Sequence, residues 1–258
     1  MTQLPLQIHL FPCRADNYGY LVHDPATAQT AAIDAPEARA VRAALRQKGW
    51  TLTHILNTHH HHDHVEGNLE LKSETGCMII GAAMQSEKIP GIDRKVSEGE
   101  LVHIGQYSAR VLETPGHTLG HVAYHFESAL AAFTGDTLFS LGCGRIFEGS
   151  AEQMWASLQK LVALPPETRI YCAHEYTLGN ADFALQLEPG NLHLQQMSNR
   201  ALALQDKGQP TVPTTLQQEL DANPFLRPGS AEIRQNLDMP NAEDVEVFAQ
   251  IRRNKDQF

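Results

Sequence analysis

The chain has 258 residues, 42% of them hydrophobic and 19% charged, with a formal net charge of −10. That length and composition give a soluble protein with a real core, folded as one large domain or two smaller ones. They exclude a membrane-spanning protein, since no apolar run approaches the ~20 residues of a bilayer span, and argue against a nucleic-acid binder, which needs a basic excess. The four cysteines (Cys13, Cys77, Cys143, Cys172) are scattered without a Cys-x-x-Cys, so the expectation is a reducing cytoplasm and no disulfide framework. The start, Met1-Thr2-Gln3-Leu4-Pro5, lacks the basic-then-apolar pattern of a secretory leader.

Strands are predicted over 6–10 and 18–23, around the turn-prone Arg14-Ala15-Asp16-Asn17, and again over 30–33. A helix follows over 37–48, where Ala38, Val41, Ala44 and Leu45 share one face and Gly49 stops the run. Residues 53–57 read as a short strand, 68–75 as a helix and 77–80 as a strand. From 101 to 133 the pattern is β-rich, with strands over 110–113, 121–126 and 129–134. A helix over 152–164 closes at Pro165-Pro166, and 169–173 is the last clear strand. Beyond residue 176 strand signals nearly vanish, and helices are predicted over 192–207 and 242–254. The boundary is therefore set at 175, with 1–175 as a layered α/β metal-binding domain and 176–258 as a helical one. No internal repeat or low-complexity segment is present.

The chemistry concentrates in Thr58-His59-His60-His61-His62-Asp63-His64, read as His59-x-His61-x-Asp63-His64. An internal run that leaves a strand and carries Asp63-His64 behind it is not a purification tag. In extended backbone, residues two apart point the same way, so His59 and His61 can share one ion. A turn into the next helix would aim Asp63 and His64 at a second. His117, Asp136 and His174 each follow an apolar strand. Singly, each is more often an ordinary loop residue; together, behind a complete His-x-His-x-Asp-His, they supply enough donors for two ions. Imidazole and carboxylate donors suit zinc first, with iron or manganese as alternatives, and the lack of cysteine in the run argues against a structural zinc finger.

The run resembles the signature of the metallo-β-lactamase superfamily. The resemblance narrows at Asp16-Asn17-Tyr18, Thr134-Gly135-Asp136-Thr137-Leu138-Phe139, Gly142-Cys143-Gly144-Arg145, Phe147-Glu148-Gly149, Ala173-His174-Glu175-Tyr176-Thr177 and the ending Arg252-Arg253-Asn254-Lys255-Asp256-Gln257-Phe258. These are similar to glyoxalase II, the hydroxyacylglutathione hydrolases, over essentially the whole chain. The resemblance implies an αββα sandwich followed by a helical glutathione-binding domain. It implies one ion on His59, His61 and His117, a second on Asp63, His64 and His174, and Asp136 bridging them together with a hydroxide. The implied reaction is hydrolysis of S-D-lactoylglutathione to glutathione and D-lactate, the second step of methylglyoxal detoxification. Coordination lowers a water's pKa from ~15.7 to roughly 7, so hydroxide is available at neutral pH, and Asp63 is expected to orient it.

An acidic protein that takes an anionic peptide needs a local positive patch. The resemblance implies Arg145, Arg252 and Lys255 for it, with Tyr176 as a hydroxyl donor and His174 beside them. The plain alternative for the Arg252-Arg253-Asn254-Lys255 run is a solvated helix end. Phe147 stands where some relatives carry a tyrosine that contacts glutathione, and Arg145 where some carry lysine. His60 and His62 are expected to point away from the ions, His121 to pack beside a ligand, and Cys143 to fill a tight loop rather than act as a nucleophile. Asp34 is expected either to accept a hydrogen bond from a ligand histidine or to serve in a turn. A monomer is expected. The competing functions are a single-iron persulfide dioxygenase, a lactone or β-lactam hydrolase on the same fold, and a nonenzymatic metal binder. The complete donor set and the basic terminus weigh against all three.

Overall fold

The computed structural model describes residues 4–258; the expected lack of a leader rests partly on residues 1–3, outside that range. The chain divides into two compact units. One is built from the chain up to Glu113 with Leu119–Gly135, the other from Thr114–Thr118 with Asp136–Phe258.

The first unit opens with β1 (Gln7–Cys13), β2 (Asn17–Asp24) and β3 (Gln29–Ile33), paired antiparallel. Then come α1 (Ala38–Lys48), β4 (His54–Leu56), the single turn α2 (His62–Val65), α3 (Asn68–Thr75), β5 (Met78–Ala82) and β6 (Arg94–Val96). A strand that returns through a helix lies parallel to its predecessor, and the pairs β3–β4, β4–β5 and β5–β6 are parallel. Helix α1 buries the four residues predicted for its apolar face, and Gly49 closes it in the left-handed region at φ 68°. Val41, Leu45 and Leu71 from α1 and α3 pack with Leu21, Ile55 and Ile79 of the sheet, all nearly inaccessible. Each such side chain contributes about 1.5–3 kcal/mol by burial.

The same unit continues as an antiparallel meander of β7 (Leu101–Ile104), β8 (Tyr107–Glu113), β9 (Val122–Phe126) and β10 (Ala131–Gly135). Its inner face meets the first sheet. The Tyr20 and Phe133 rings lie 5.4 Å apart, and the Tyr124 hydroxyl donates to the Asn57 carbonyl at 2.9 Å. The strand predicted from 129 begins at Ala131 because Glu127–Ala129 form a 3-10 turn. Strand β6 is absent from the predicted set because it is three residues long and two of them are charged.

The second unit carries the small hairpin β11 (Leu138–Phe139) and β12 (Gly142–Cys143), then α4 (Ala151–Val162), which starts on a Ser150–Gln153 capping box. Strand β13 (Arg169–Cys172) precedes α5 (Thr177–Leu187) and α6 (Leu192–Gln205). Strand β14 (Thr214–Thr215) pairs with β13 and runs into α7 (Leu216–Ala222), α8 (Ala231–Asn236) and α9 (Asp244–Gln257). Phe183, Phe225 and Phe248 form the aromatic core of these helices. Helix α5 is missing from the predicted set because it buries Thr177 and Asn180 along with its apolar residues and so lacks a clean amphipathic stripe. Among the described residues no helix is long and apolar enough to cross a membrane.

The first unit wholly or partly buries His9, His23, His54 and His125, four histidines outside the His59–His64 run. His23 stacks flat on Trp50 at 4.3 Å, and burial holds the imidazoles of His23, His54, His125 and His9 below the usual value of 6.5. A base with a lowered folded pKa binds fewer protons folded than unfolded. The stability it contributes is therefore complete above 6.5 and lost as the pH falls below it. The melting temperature should drop on acidification from about pH 7.5 to about pH 5.5. His23→Phe, which keeps the stack and removes the titration, should show a shallower drop in the same calorimetric series. An unchanged slope would contradict this.

Candidate metal centre

The first unit presents its donors where β4 leaves the sheet. His61 is extended, at φ −60° and ψ 146°, and α2 begins at the next residue. This is the turn that was expected to swing Asp63 and His64 round. The His59 ring lies 4.7 Å from His61 and 4.0 Å from His64, and His64 Nε2 is 3.5 Å from Asp63 Oδ2.

Asp34 organises this half. It sits at φ 58°, a left-handed conformation that aspartate tolerates better than most residues. Its Oδ1 accepts from the Thr58 amide at 2.7 Å and its Oδ2 from the Thr58 hydroxyl at 2.8 Å. His64 Nδ1 lies 2.8 Å from the same Oδ2. A carboxylate only accepts, so Nδ1 of His64 carries the proton and Nε2 the lone pair. The Thr58 hydroxyl, spending its proton on Asp34, accepts from His59 Nδ1 at 3.1 Å and fixes that ring in the same tautomer. Of the two roles open to Asp34 in the sequence, the structure shows the hydrogen-bond role. His121 stacks on His59 at 4.9 Å, as packing beside a ligand requires. His62 faces outward to Arg14 and Glu66, while His60 is half-buried beside His59 and His61. At Gly135, at φ 49°, a Cβ would lie 2.7 Å from both His121 Nε2 and the Thr58 hydroxyl, so only glycine delivers the chain to position 136.

The second unit supplies the rest. The carboxylate of Asp136 faces two imidazoles. Its Oδ2 is 3.3 Å from His117 Nε2 and its Oδ1 is 3.5 Å from His174 Nε2. His117 Nδ1 donates to the Arg145 carbonyl at 2.7 Å, which places the ring's lone pair on Nε2, toward Asp136. A lone pair facing a carboxylate oxygen at such a distance is repulsive unless a proton or a cation lies between them. Anchored Nδ1 atoms with Nε2 turned to the cluster are the arrangement of metal-ligating histidines, so these residues fit divalent ions. At Gly144 a Cβ would fall 1.8 Å from the Asp136 carbonyl oxygen, so glycine lets this loop pass over the aspartate.

Around this half lie the residues assigned to substrate. Tyr176 stacks in parallel on His174 at 4.9 Å and is 41% exposed. Phe147 stands edge-on to His117 at 5.2 Å and is 60% exposed. Arg145 pairs with Asp256 at 3.3 Å and remains largely exposed. Lys255 donates to the Gly179 carbonyl at 2.6 Å, and burial followed by the charge of Arg252 holds its ammonium below the usual range. Arg252 is not the solvated helix-end residue of the plain alternative. It is only 6% exposed, and its guanidinium donates to the Cys143 carbonyl at 2.7 Å and to Asp256 at 3.0 Å. Burial pushes the Cys143 thiol up to about 11, which suits packing and not nucleophilic attack.

The side chains that shape this loop are not among those the sequence singles out. Asn180 donates to the Ser140 carbonyl, Asn223 to those of Phe139 and Gly142, and buried Glu219 accepts from the Leu141 amide at 2.8 Å. Nothing local marks them, because each acts on backbone tens of residues away.

The sheets and the donor set define a member of the metallo-β-lactamase superfamily, whose family model matches residues 19–174; the fold is its αββα sandwich with a C-terminal helical part. Solved structures share that fold. The BLEG-1 B3 metallo-β-lactamase superimposes with a TM-score of 0.66 at 21% identity, over 86% of this chain and 100% of its own. ETHE1 from Myxococcus xanthus gives 0.66 at 27% identity, over 98% of both chains. Residues 175–258 match the model described as the hydroxyacylglutathione hydrolase C-terminus. A hydroxyacylglutathione hydrolase of Methylococcus capsulatus is 56% identical over 98% of this chain and 99% of its own length, and one from a Chelativorans species is 53% identical over 99% and 100%. The chain belongs to the hydroxyacylglutathione hydrolase family, glyoxalase II.

Proposed function

We propose that the chain hydrolyses S-(2-hydroxyacyl)glutathione thioesters, S-D-lactoylglutathione foremost, to glutathione and D-lactate, using two divalent transition-metal ions, zinc first. The observation that carries this reading is Asp136, whose two carboxylate oxygens face the Nε2 atoms of two different histidines. Further support comes from the donor sets. In this reading His59, His61 and His117 take one ion, Asp63, His64 and His174 the other, and Asp136 is shared, the sets that the family resemblance implies; all seven are donors of the imidazole and carboxylate type that divalent transition metals accept.

Such ions, when bound, supply Lewis acidity and acidified water; the side chains do the rest. Asp34 and the Arg145 carbonyl hold the histidine tautomers. Asp63 orients the attacking water through a carboxylate oxygen. The thiol leaving group, with a pKa near 8.5, departs without strong acid help. On a chain of net charge −10, Arg145 and Lys255 receive the carboxylates of glutathione, Arg145 with the planar fork that suits them. Tyr176 adds a hydroxyl and Phe147 an apolar face. Arg252 supports the same patch through Cys143 and Asp256. In this reading residues 1–175 carry the chemistry and 176–258, joined by Arg145 and Phe147, the glutathione site, in a cytoplasmic monomer with no nucleic-acid partner. Similarity that runs end to end through the basic terminus disfavours the dioxygenase and lactonase readings.

The test is loss of thioester absorbance on S-lactoylglutathione, beside a lactone, a β-lactam and a thioester lacking the peptide. The expected kcat/KM for the first exceeds about 10⁴ M⁻¹s⁻¹, with the others far below. Turnover of the lactone or β-lactam in preference to the glutathione thioester would contradict the proposal.

A further inference from the structure

We infer that Asn17 is a positioning residue for Asp63, fixing the carboxylate that completes the second ion's trio; the inference rests on the two-ion reading above. Asn17 opens β2, opposite Cys13 at the mouth of the β1–β2 hairpin, and is buried. Its amide Nδ2 donates to Asp63 Oδ2 at 3.1 Å and to the Asp63 carbonyl at 3.3 Å. The second bond has a clear cause. Helix α2 is one turn long, and the amide that would close onto the Asp63 carbonyl, that of Gly67, donates instead to the Ala35 carbonyl at 2.9 Å. The hairpin side chain supplies a donor to that carbonyl. One NH2 group therefore ties both the backbone and the side chain of Asp63 to a strand of the sheet.

The chemistry favours an amide at this position. Asp63 Oδ2 also lies 3.5 Å from His64 Nε2, so the oxygen that takes the Asn17 bond is the one nearest the neighbouring donor. A neutral N–H orients that oxygen without cancelling its charge, whereas a lysine or arginine would compete with the ion. The same turn contains an internal control. Arg14 donates to the Pro36 carbonyl at 3.0 Å, lies 3.1 Å from His62 Nδ1 and pairs with Glu66. It thus tethers the turn to α2 through His62 and Glu66. Residues that hydrogen-bond to ligating carboxylates typically govern metal affinity or activity by about 10- to 100-fold.

The experiment compares the full-length chain with Asn17→Leu, which removes the donor at similar volume, Asn17→Asp, which replaces it with an acceptor, and Arg14→Ala. Each is loaded with zinc and titrated with a chelator while ions per chain are counted. The cobalt-loaded forms are followed by visible absorption. The expected result is that both Asn17 variants keep the first ion but release the second about 10- to 100-fold more readily, with an altered cobalt spectrum. Their kcat should fall while KM for S-lactoylglutathione holds, and Arg14→Ala should retain both ions. If either folded Asn17 variant holds two ions with unchanged affinity and spectrum, whatever its melting temperature, the inference is overturned. If Arg14→Ala releases the second ion equally, the turn as a whole is responsible and Asn17 has no special part. An unsubstituted chain that takes up no second ion would instead defeat the reading of the site itself.

Discussion

Asp136→Asn is expected to lower kcat/KM for S-lactoylglutathione by about 10³-fold or more, roughly 4 kcal/mol of transition-state stabilisation, while leaving the metal-free fold close to its original stability. The substitution is isosteric, and the position allows little relaxation. Gly135 before it is held at φ 49° against Thr58 and His121, and Gly144 lies over its carbonyl. What changes is the chemistry of one oxygen. In the native side chain both oxygens face imidazole nitrogens, at 3.3 and 3.5 Å. An amide presents an NH2 group to one of those lone pairs, makes an ordinary hydrogen bond there, and removes both the charge and the second acceptor. A site that needs a shared anion between two cations then loses its bridge. If the Asp136–histidine contacts were instead ion pairs to protonated imidazoles, the effect would fall on folding. Removing one partner of a buried pair costs about 3–5 kcal/mol of stability, with no special demand on metal content. Kinetics and a thermal melt of the metal-free variant, taken together, separate the two outcomes.

Stripping the ions with a chelator should abolish turnover and lower the melting temperature by about 5–10 °C. A ligand held at a hundred times its dissociation constant stabilises the folded state by about 2.7 kcal/mol, and a chain of this size moves about 2–4 °C per kcal/mol. The chelated protein should lose that and more, because lone pairs of His117 and His64 then face carboxylate oxygens with nothing between them. Calorimetry with and without chelator checks the shift. A melting temperature indifferent to chelation would mean that the donors do not hold ions in the folded chain.

The candidate donors were legible because their signal is local. His59-x-His61-x-Asp63-His64 is contiguous, and each later donor follows an apolar strand. Helix α1 was legible to within a residue for the same reason, since one face and one glycine define it. What stayed hidden depends on distance along the chain. Asn17 reaches Asp63 across 46 residues, Glu219 reaches Leu141 across 78 and Arg252 reaches Cys143 across 109. Composition carries no trace of such pairings. Arg252 shows the limit most clearly. The run it shares with Arg253 and Lys255 reads either as a patch for an anionic peptide or as a solvated helix end, and neither reading shows that α9 turns that one guanidinium inward onto a backbone carbonyl. Helix α5 failed for a different reason, because it buries polar side chains whose partners lie elsewhere.

The decisive measurement is zinc titrated back into chelated protein, with ions per chain counted and thioester turnover followed on the same sample. Turnover that climbs to its maximum as the second equivalent binds, and that fails to climb in Asp136→Asn, is the predicted result. Full hydrolysis of S-lactoylglutathione by metal-free protein, or saturation with no more than a trace of bound ion, would contradict it.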